Sequence, residues 1–163
     1  MGKIGQVLNA MIDYYAGDAR RVNHFLKVYG FAKAIGEAEG LSESDEYILE
    51  IVALTHDIGI KNSEIKYGNT GGAHQQVEGP PEAETMLKAL GIDKAVIERV
   101  CWLIAHHHTY ADIQGVDYQI LIEADFIVNA FEDDMNIKAV RSVRDKLFKT
   151  DAGIKILNKL YEK

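Results

Sequence analysis

The chain has one cysteine, Cys101, in 163 residues. An internal disulfide is therefore excluded, and nothing points to an oxidising compartment. Proline is almost absent too, and the only two stand side by side as Pro80-Pro81. No apolar run approaches the ~18 residues of a membrane span. Positive charge is also in deficit: 18 Lys and Arg against 25 Asp and Glu leave a net charge of −7 with histidines neutral. That balance gives no electrostatic footprint for duplex nucleic acid or for an anionic membrane surface. A local basic patch around a small phosphate remains compatible with it. The opening stretch MGKIGQVLNAMIDYY carries one lysine and no long apolar core, so it does not read as a signal peptide, and Gln6 spoils a myristoylation match. The expectation is a cytoplasmic protein.

An apolar fraction of 47% is ample for one core. Period-2 alternation, internal repeats and low-complexity linkers are all missing, and the chain reads as nearly all helix. Ile4, Val7, Leu8, Met11, Ile12 and Tyr15 recur at helical spacing. Asp18 is placed to cap a second helix reaching Glu39, and Ser42 or Ser44 a third that stops near Gly59. Pro80-Pro81 suits the first turn of a fourth helix ending at Gly91. Asp93 can cap KAVIERVCWLIAHHH. The segments DYQILIEADFIVNAF, IKAVRSVRDKLF and AGIKILNKLY complete the set. The longest irregular stretch falls at about residues 60–79, and loops of that length in a small domain are often functional.

Several polar residues sit on apolar helix faces. His24 precedes Val28, Phe31, Ala32 and Ile35 by 4, 7, 8 and 11 residues, which places it on the inward stripe. His56 follows Leu49 and Val52 by 7 and 4, with Asp57 beside it. Asp125 lies among Leu121, Ile122, Val128 and Asn129. In the run His106-His107-His108, the last two continue the line of Val100, Cys101 and Ile104, whereas His106 stacks over Arg99 and Trp102 on a more mixed face. His74 stands in the glycine-rich stretch before the prolines. A lone buried histidine is more often a hydrogen-bonded core residue than a ligand. Two buried carboxylates with several imidazoles are another matter. One uncompensated carboxylate costs several kcal/mol, and a shared divalent ion compensates the whole set. Neutral imidazole and ionised carboxylate suit iron, manganese, nickel and zinc.

The ordered set His24 … His56-Asp57 … Asp125, carried by RVNHFLKVYGFAKAIG, VALTHDIG and ILIEADFIVNA, resembles the H…HD…D signature of the HD-domain metal-dependent phosphohydrolases. The resemblance covers about residues 18–131. It implies an all-α domain of five or more helices around the metal; with the length and the helices read above, the expectation is a single domain spanning 1–163, a bundle of about seven to eight helices, with the C-terminal helices at 137–162 packed on the core. It implies that His24, His56, Asp57 and Asp125 ligate one ion, the remaining positions taking water and a substrate phosphate oxygen. In some branches further histidines add a second ion, and His74 with His107 and His108 stand in the corresponding order, Asp57 then bridging. The cofactor expectation is one or two divalent ions per chain, drawn from Fe, Mn, Ni, Co, Zn and Mg.

The activity implied is hydrolysis of a phosphate ester or anhydride of a small phosphorylated substrate by metal-activated water. Asp57 and His56 are then closest to the chemistry. Arg21, one turn before His24, and Lys61 and Lys66, after the doublet, are the cations able to meet the phosphate. Nucleotides are the substrate class the resemblance suggests first, yet no segment reads as a base-recognition motif. Tyr67, Tyr110 and Tyr118 are the candidates for stacking. The GYP element of cyclic-dinucleotide phosphodiesterases is missing after the histidine run, which disfavours that activity. Two alternatives stay open: a di-iron oxygenase of the same superfamily, which the same ligand types would serve, and a ligand-binding module without turnover.

Overall fold

Helices form wherever the apolar period is strong, and in two places where it is weak. The structure, a computed structural model, describes residues 1–162. Nine helices and no strand occur among them: α1 Lys3–Tyr14, α2 Ala19–Glu39, α3 Glu43–Thr55, α4 Ile60–Tyr67, α5 Gly72–Ala89, α6 Lys94–His106, α7 Val116–Glu132, α8 Ile137–Leu147 and α9 Asp151–Tyr161. Asp18 caps α2 by accepting from the Arg21 amide, and Ser42 caps α3 by accepting from Asp45. Such caps satisfy amides that have no partner inside the helix. Asp93 occupies the cap position of α6 without a side-chain cap bond.

The middle of the chain differs from the sequence expectation. Residues 60–79 are mostly helical, and Pro80 and Pro81 lie inside α5, not in its first turn. Each proline removes one helical donor and normally breaks a helix. Here packing overrides that preference. A Cβ at Gly59 would lie 2.6 Å from the Gln75 carbonyl oxygen, and one at Gly79 2.5 Å from the Ile104 side chain. The two glycines let the start of α4, the middle of α5 and the end of α6 approach closely at the turn that precedes the prolines. The extra helix α4 ends at Gly68, whose φ of +68° is readily adopted only by glycine.

α3 is the central helix. Leu49 through Thr55 are all buried, and α1, α2, α6 and α7 pack around it. Because α3 ends at Thr55, the His56-Asp57 doublet emerges in the middle of the molecule, on a turn that Tyr15 clamps by donating to the Asp57 carbonyl oxygen at 2.7 Å. α2 and α7 flank α3, so His24 and Asp125 approach that turn from two sides. Tyr118, 1% exposed, donates to the carbonyls of His106 and Thr109 and fixes the end of α6. That buried role removes it from the surfaces able to stack a ligand.

The C-terminal helices are tied on by a buried carboxylate that is fully satisfied. Glu123, 0% exposed, accepts from the amides of Lys149 at 2.7 Å and Thr150 at 3.0 Å, and from the Thr150 hydroxyl. Thr150 in turn caps α9. Glu123→Ala leaves these donors without an acceptor and should lower unfolding stability by roughly 2–4 kcal/mol. Glu123→Gln, which keeps one acceptor, should cost less. Urea midpoints for the two variants check this; an unchanged midpoint for the alanine variant would show that α8 and α9 are held by apolar contacts alone.

Candidate metal centre

Five side chains from four separate segments meet below the end of α3. Nε2 of His24 lies 3.2 Å from Asp125 Oδ1 and 3.4 Å from Asp57 Oδ2. Nε2 of His56 lies 3.6 Å from the same two oxygens, and Nε2 of His107 lies 3.5 Å from Asp57 Oδ1. The other ring nitrogen is committed elsewhere in each case. Nδ1 of His56 donates to the Ala53 carbonyl at 2.9 Å, and Nδ1 of His107 to that of Ile104 at 2.7 Å. Nδ1 of His24 meets Glu132 Oε2 at 3.0 Å. These bonds place the Nε2 lone pairs toward the centre. All three Nε2 atoms are buried and have no hydrogen-bond partner among the described residues.

Orphaned buried nitrogens are rare and need an explanation. Metal coordination supplies one. Two atoms each about 2.1 Å from one ion lie about 3.0 Å apart at octahedral angles and about 3.4 Å apart at tetrahedral angles. The observed separations of 3.2–3.6 Å fall close to those values, and the contacts fail as hydrogen bonds. His24, His56 and Asp57 offer ligand atoms mutually within 4.8 Å. Asp57, His107 and His108 form a second such group, with Asp57 common to both. The residues present therefore fit one divalent ion, with a shared carboxylate toward a second position.

The electrostatics point the same way. Burial alone would raise the Asp57 carboxyl, but His56 and His107 hold it well below the usual range. Burial also opposes ionisation of Asp125, and His24 and His56 pull it down. Burial would lower His56, yet Asp57 and Asp125 hold it up at about 9. Without an ion, protons on imidazoles stand in for the missing positive charge. His108 differs: burial and the neighbouring His107 push it down to about 4, so it is neutral over the ordinary pH range.

The remaining candidates are placed as follows. His108 Nε2 is 3.0 Å from Gln75 Oε1, and Gly72 passes beneath its ring so closely that a Cβ there would meet it at 2.8 Å. His74 stacks on Tyr67 with ring centres 3.9 Å apart and bonds Asn69, so it belongs to neither ligand group in this arrangement. His106 stacks on Trp102 and bonds its carbonyl. Arg21 pairs with Glu64 and Asp18. Lys61 donates to the Tyr14 carbonyl and lies over the Tyr14 ring, while Lys66 pairs with Glu78. Of these three cations only Arg21 lines the polar cleft of about 480 Å³ that opens onto His24 and Asp57. Arg20, Asn129 and Glu132 share that cleft and were not singled out by the sequence. Glu132 lies seven residues after Asp125, two turns along one face, which is the signal that could have found it.

Helices converging on an unpaired His/Asp set define an all-helical domain with side chains able to hold a metal ion. The HD domain family model matches residues 21–148, and the chain belongs to that family. A predicted HD superfamily hydrolase from an uncultured Thermotogales bacterium has a similar fold, with a TM-score of 0.69 and 21% identity. The match covers 95% of this chain and 83% of that one. No curated protein matches the chain. No helix among the described residues is long and apolar enough to cross a membrane.

Two measurements test the centre. Glu132 orients His24 and also pairs with Lys27 at 2.6 Å. Glu132→Ala should weaken metal binding about 10–100-fold, the usual cost of losing such a partner, with helical content intact. Glu132→Gln should fall between. Competition with a chromophoric chelator reads the affinity, and an unchanged value for the alanine variant would remove Glu132 from the centre.

The second is pH. A folded-state pKa raised to about 9 for His56 stabilises the metal-free protein fully below about 6.5, the ordinary histidine value. That contribution is lost as pH rises through 9. The thermal midpoint of chelator-treated protein should therefore fall between pH 6.5 and 9. A saturating divalent ion, which needs neutral imidazoles, should remove this slope and release protons on binding near pH 7. A flat profile without metal would contradict the charge balance described.

Proposed function

We propose that the protein is a metal-dependent hydrolase of phosphate esters or anhydrides acting on a small phosphorylated substrate. The observation that carries this reading is the trio of buried, unpartnered Nε2 atoms around Asp57 and Asp125, beside a polar cleft that His24 and Asp57 line. A divalent ion held there would lower the pKa of a coordinated water and neutralise phosphoryl charge. His24, His56, Asp57 and Asp125 would hold it. Asp57 has one oxygen toward each ligand group, so it is the residue able to serve two ions, with His107 and His108 completing the second position. The ions would be drawn from Fe, Mn, Ni, Co, Zn and Mg.

The chain's own groups favour a phosphate in this cleft in specific ways. Arg20 lines it with no ion-pair partner among the described residues. Arg21 can exchange Glu64 for a phosphate, the planar guanidinium matching either oxyanion. Asp57, as a ligand, is a poor free base, and its part is to hold and orient. His56, buried completely, acts through its lone pair rather than by proton transfer with solvent. The paired ligand groups also support the oxidative alternative, in which two irons share Asp57; oxygen uptake by iron-loaded protein separates the two chemistries.

Metal analysis of protein purified without chelators, followed by a phosphatase and phosphodiesterase panel, tests the proposal. Hydrolysis should need the divalent ion. Asp57→Ala should abolish both binding and hydrolysis, by more than about 10³-fold in rate, while circular dichroism stays close to that of the parent. Full metal occupancy and full activity in that variant would place the site elsewhere.

A further inference from the structure

The wall on the other side of Asp125 has a different chemistry from the cleft. A second pocket, about 370 Å³, opens there between α7 and α8. Its sides are carbon, from Ile122 and Phe126 on α7 and Val143 and Leu147 on α8. Its polar side chains are Asp125, from the metal centre, Asn129, Tyr110 and the exposed Lys146. Asn129 borders both this pocket and the polar cleft. A phosphate at the centre would thus have arginines on one side and an apolar chamber on the other.

We propose, resting on the hydrolase reading above, that this chamber holds the leaving group, and that the substrate is a phosphate monoester of an apolar, ring-sized alcohol. Size and polarity both bear on this. A dry apolar cavity of about 150 Å³ is enough to take benzene, so the chamber accepts one or two rings. A sugar or nucleoside would bring hydroxyl and amide groups against Ile122, Phe126, Val143 and Leu147, where they would lose water without gaining partners. Tyr110, half-exposed, lines the chamber together with Asp125. In the reaction the water oxygen bonds to phosphorus and the P–O bond to the alcohol breaks. The proton lost by water ends on the departing alkoxide, with no change of oxidation state.

Benzyl phosphate, glycerol 2-phosphate and adenosine 5′-monophosphate separate the possibilities, since all three release alcohols of broadly similar basicity. With the divalent ion that supports hydrolysis, kcat/KM for benzyl phosphate should exceed that for the other two by at least about tenfold, as expected for burying a ring in an apolar site. Val143→Asn, which puts an amide into the chamber wall, should bring the ratio towards one. In parallel, benzylphosphonate, which cannot be hydrolysed, is titrated into zinc-loaded protein while the methyl resonances of Ile122, Val143 and Leu147 are followed. Those resonances should shift, and methylphosphonate should leave them in place. Equal kcat/KM for the three esters would overturn the proposal while leaving the hydrolase reading intact. If none of the three monoesters turns over, the monoester assignment is overturned even where benzylphosphonate moves these methyls, and the wider phosphatase and phosphodiesterase panel decides the hydrolase reading separately. Benzylphosphonate leaving the methyls unmoved would overturn the chamber itself.

Discussion

Two carboxylates held close together out of bulk water are the constraint on which this structure turns. Asp57 and Asp125 face three imidazole nitrogens that no hydrogen bond satisfies. Without a metal ion only protons on the imidazoles offset this negative charge, and burial of uncompensated charge is among the costliest things a fold can do. Everything around the centre serves to hold the five groups at ion-binding distance. α3 delivers the doublet into the interior, Tyr15 clamps its backbone, and the carbonyls of Ala53 and Ile104 fix two ring orientations. Three helices and a turn therefore form a rigid frame, which is what a preorganised metal site requires.

Comparison with Glu123 shows why burial of a carboxylate does not by itself mark a metal site. Glu123 and Asp125 are two residues apart on α7, the first fully buried and the second largely so. Glu123 accepts from two amides and a hydroxyl and so is satisfied by the chain. Asp125 faces ring nitrogens whose geometry does not make hydrogen bonds. The first ties α8 and α9 to the body, and the second waits for a ligand. The distinction lies in the donors, which are contributed by residues 26 and 27 positions away.

Much of this was legible in the sequence, for a physical reason. His24, His56, Asp57, His107 and Asp125 interrupt strong apolar stripes, and helical phase alone orients them inward. The all-helical architecture follows from the same periodicity. The parts that were not legible lacked a periodic signal. α4 and the first half of α5 are polar, glycine-rich and run into two prolines, and they pack through the close approach of Gly59 and Gly79 to neighbouring backbone and Ile104, a tertiary contact with no periodic signature. Glu132 follows the exposed Phe131 at a helix end, where a glutamate usually faces solvent. Lys61 and Lys66 stand near the doublet in sequence, yet α4 turns them to Tyr14 and Glu78 instead. Adjacency along the chain carries no direction until the helix that bears it is known.

The central claim is that the buried nitrogens and carboxylates are spaced for an ion. Anomalous diffraction from crystals of manganese-loaded protein tests it most directly. A strong peak is expected within about 2.0–2.3 Å of Nε2 of His24 and His56 and of one oxygen each from Asp57 and Asp125, the range of metal–ligand bonds. A map with no peak among these atoms, the imidazoles instead turned to donate hydrogen bonds to the two carboxylates, would contradict it.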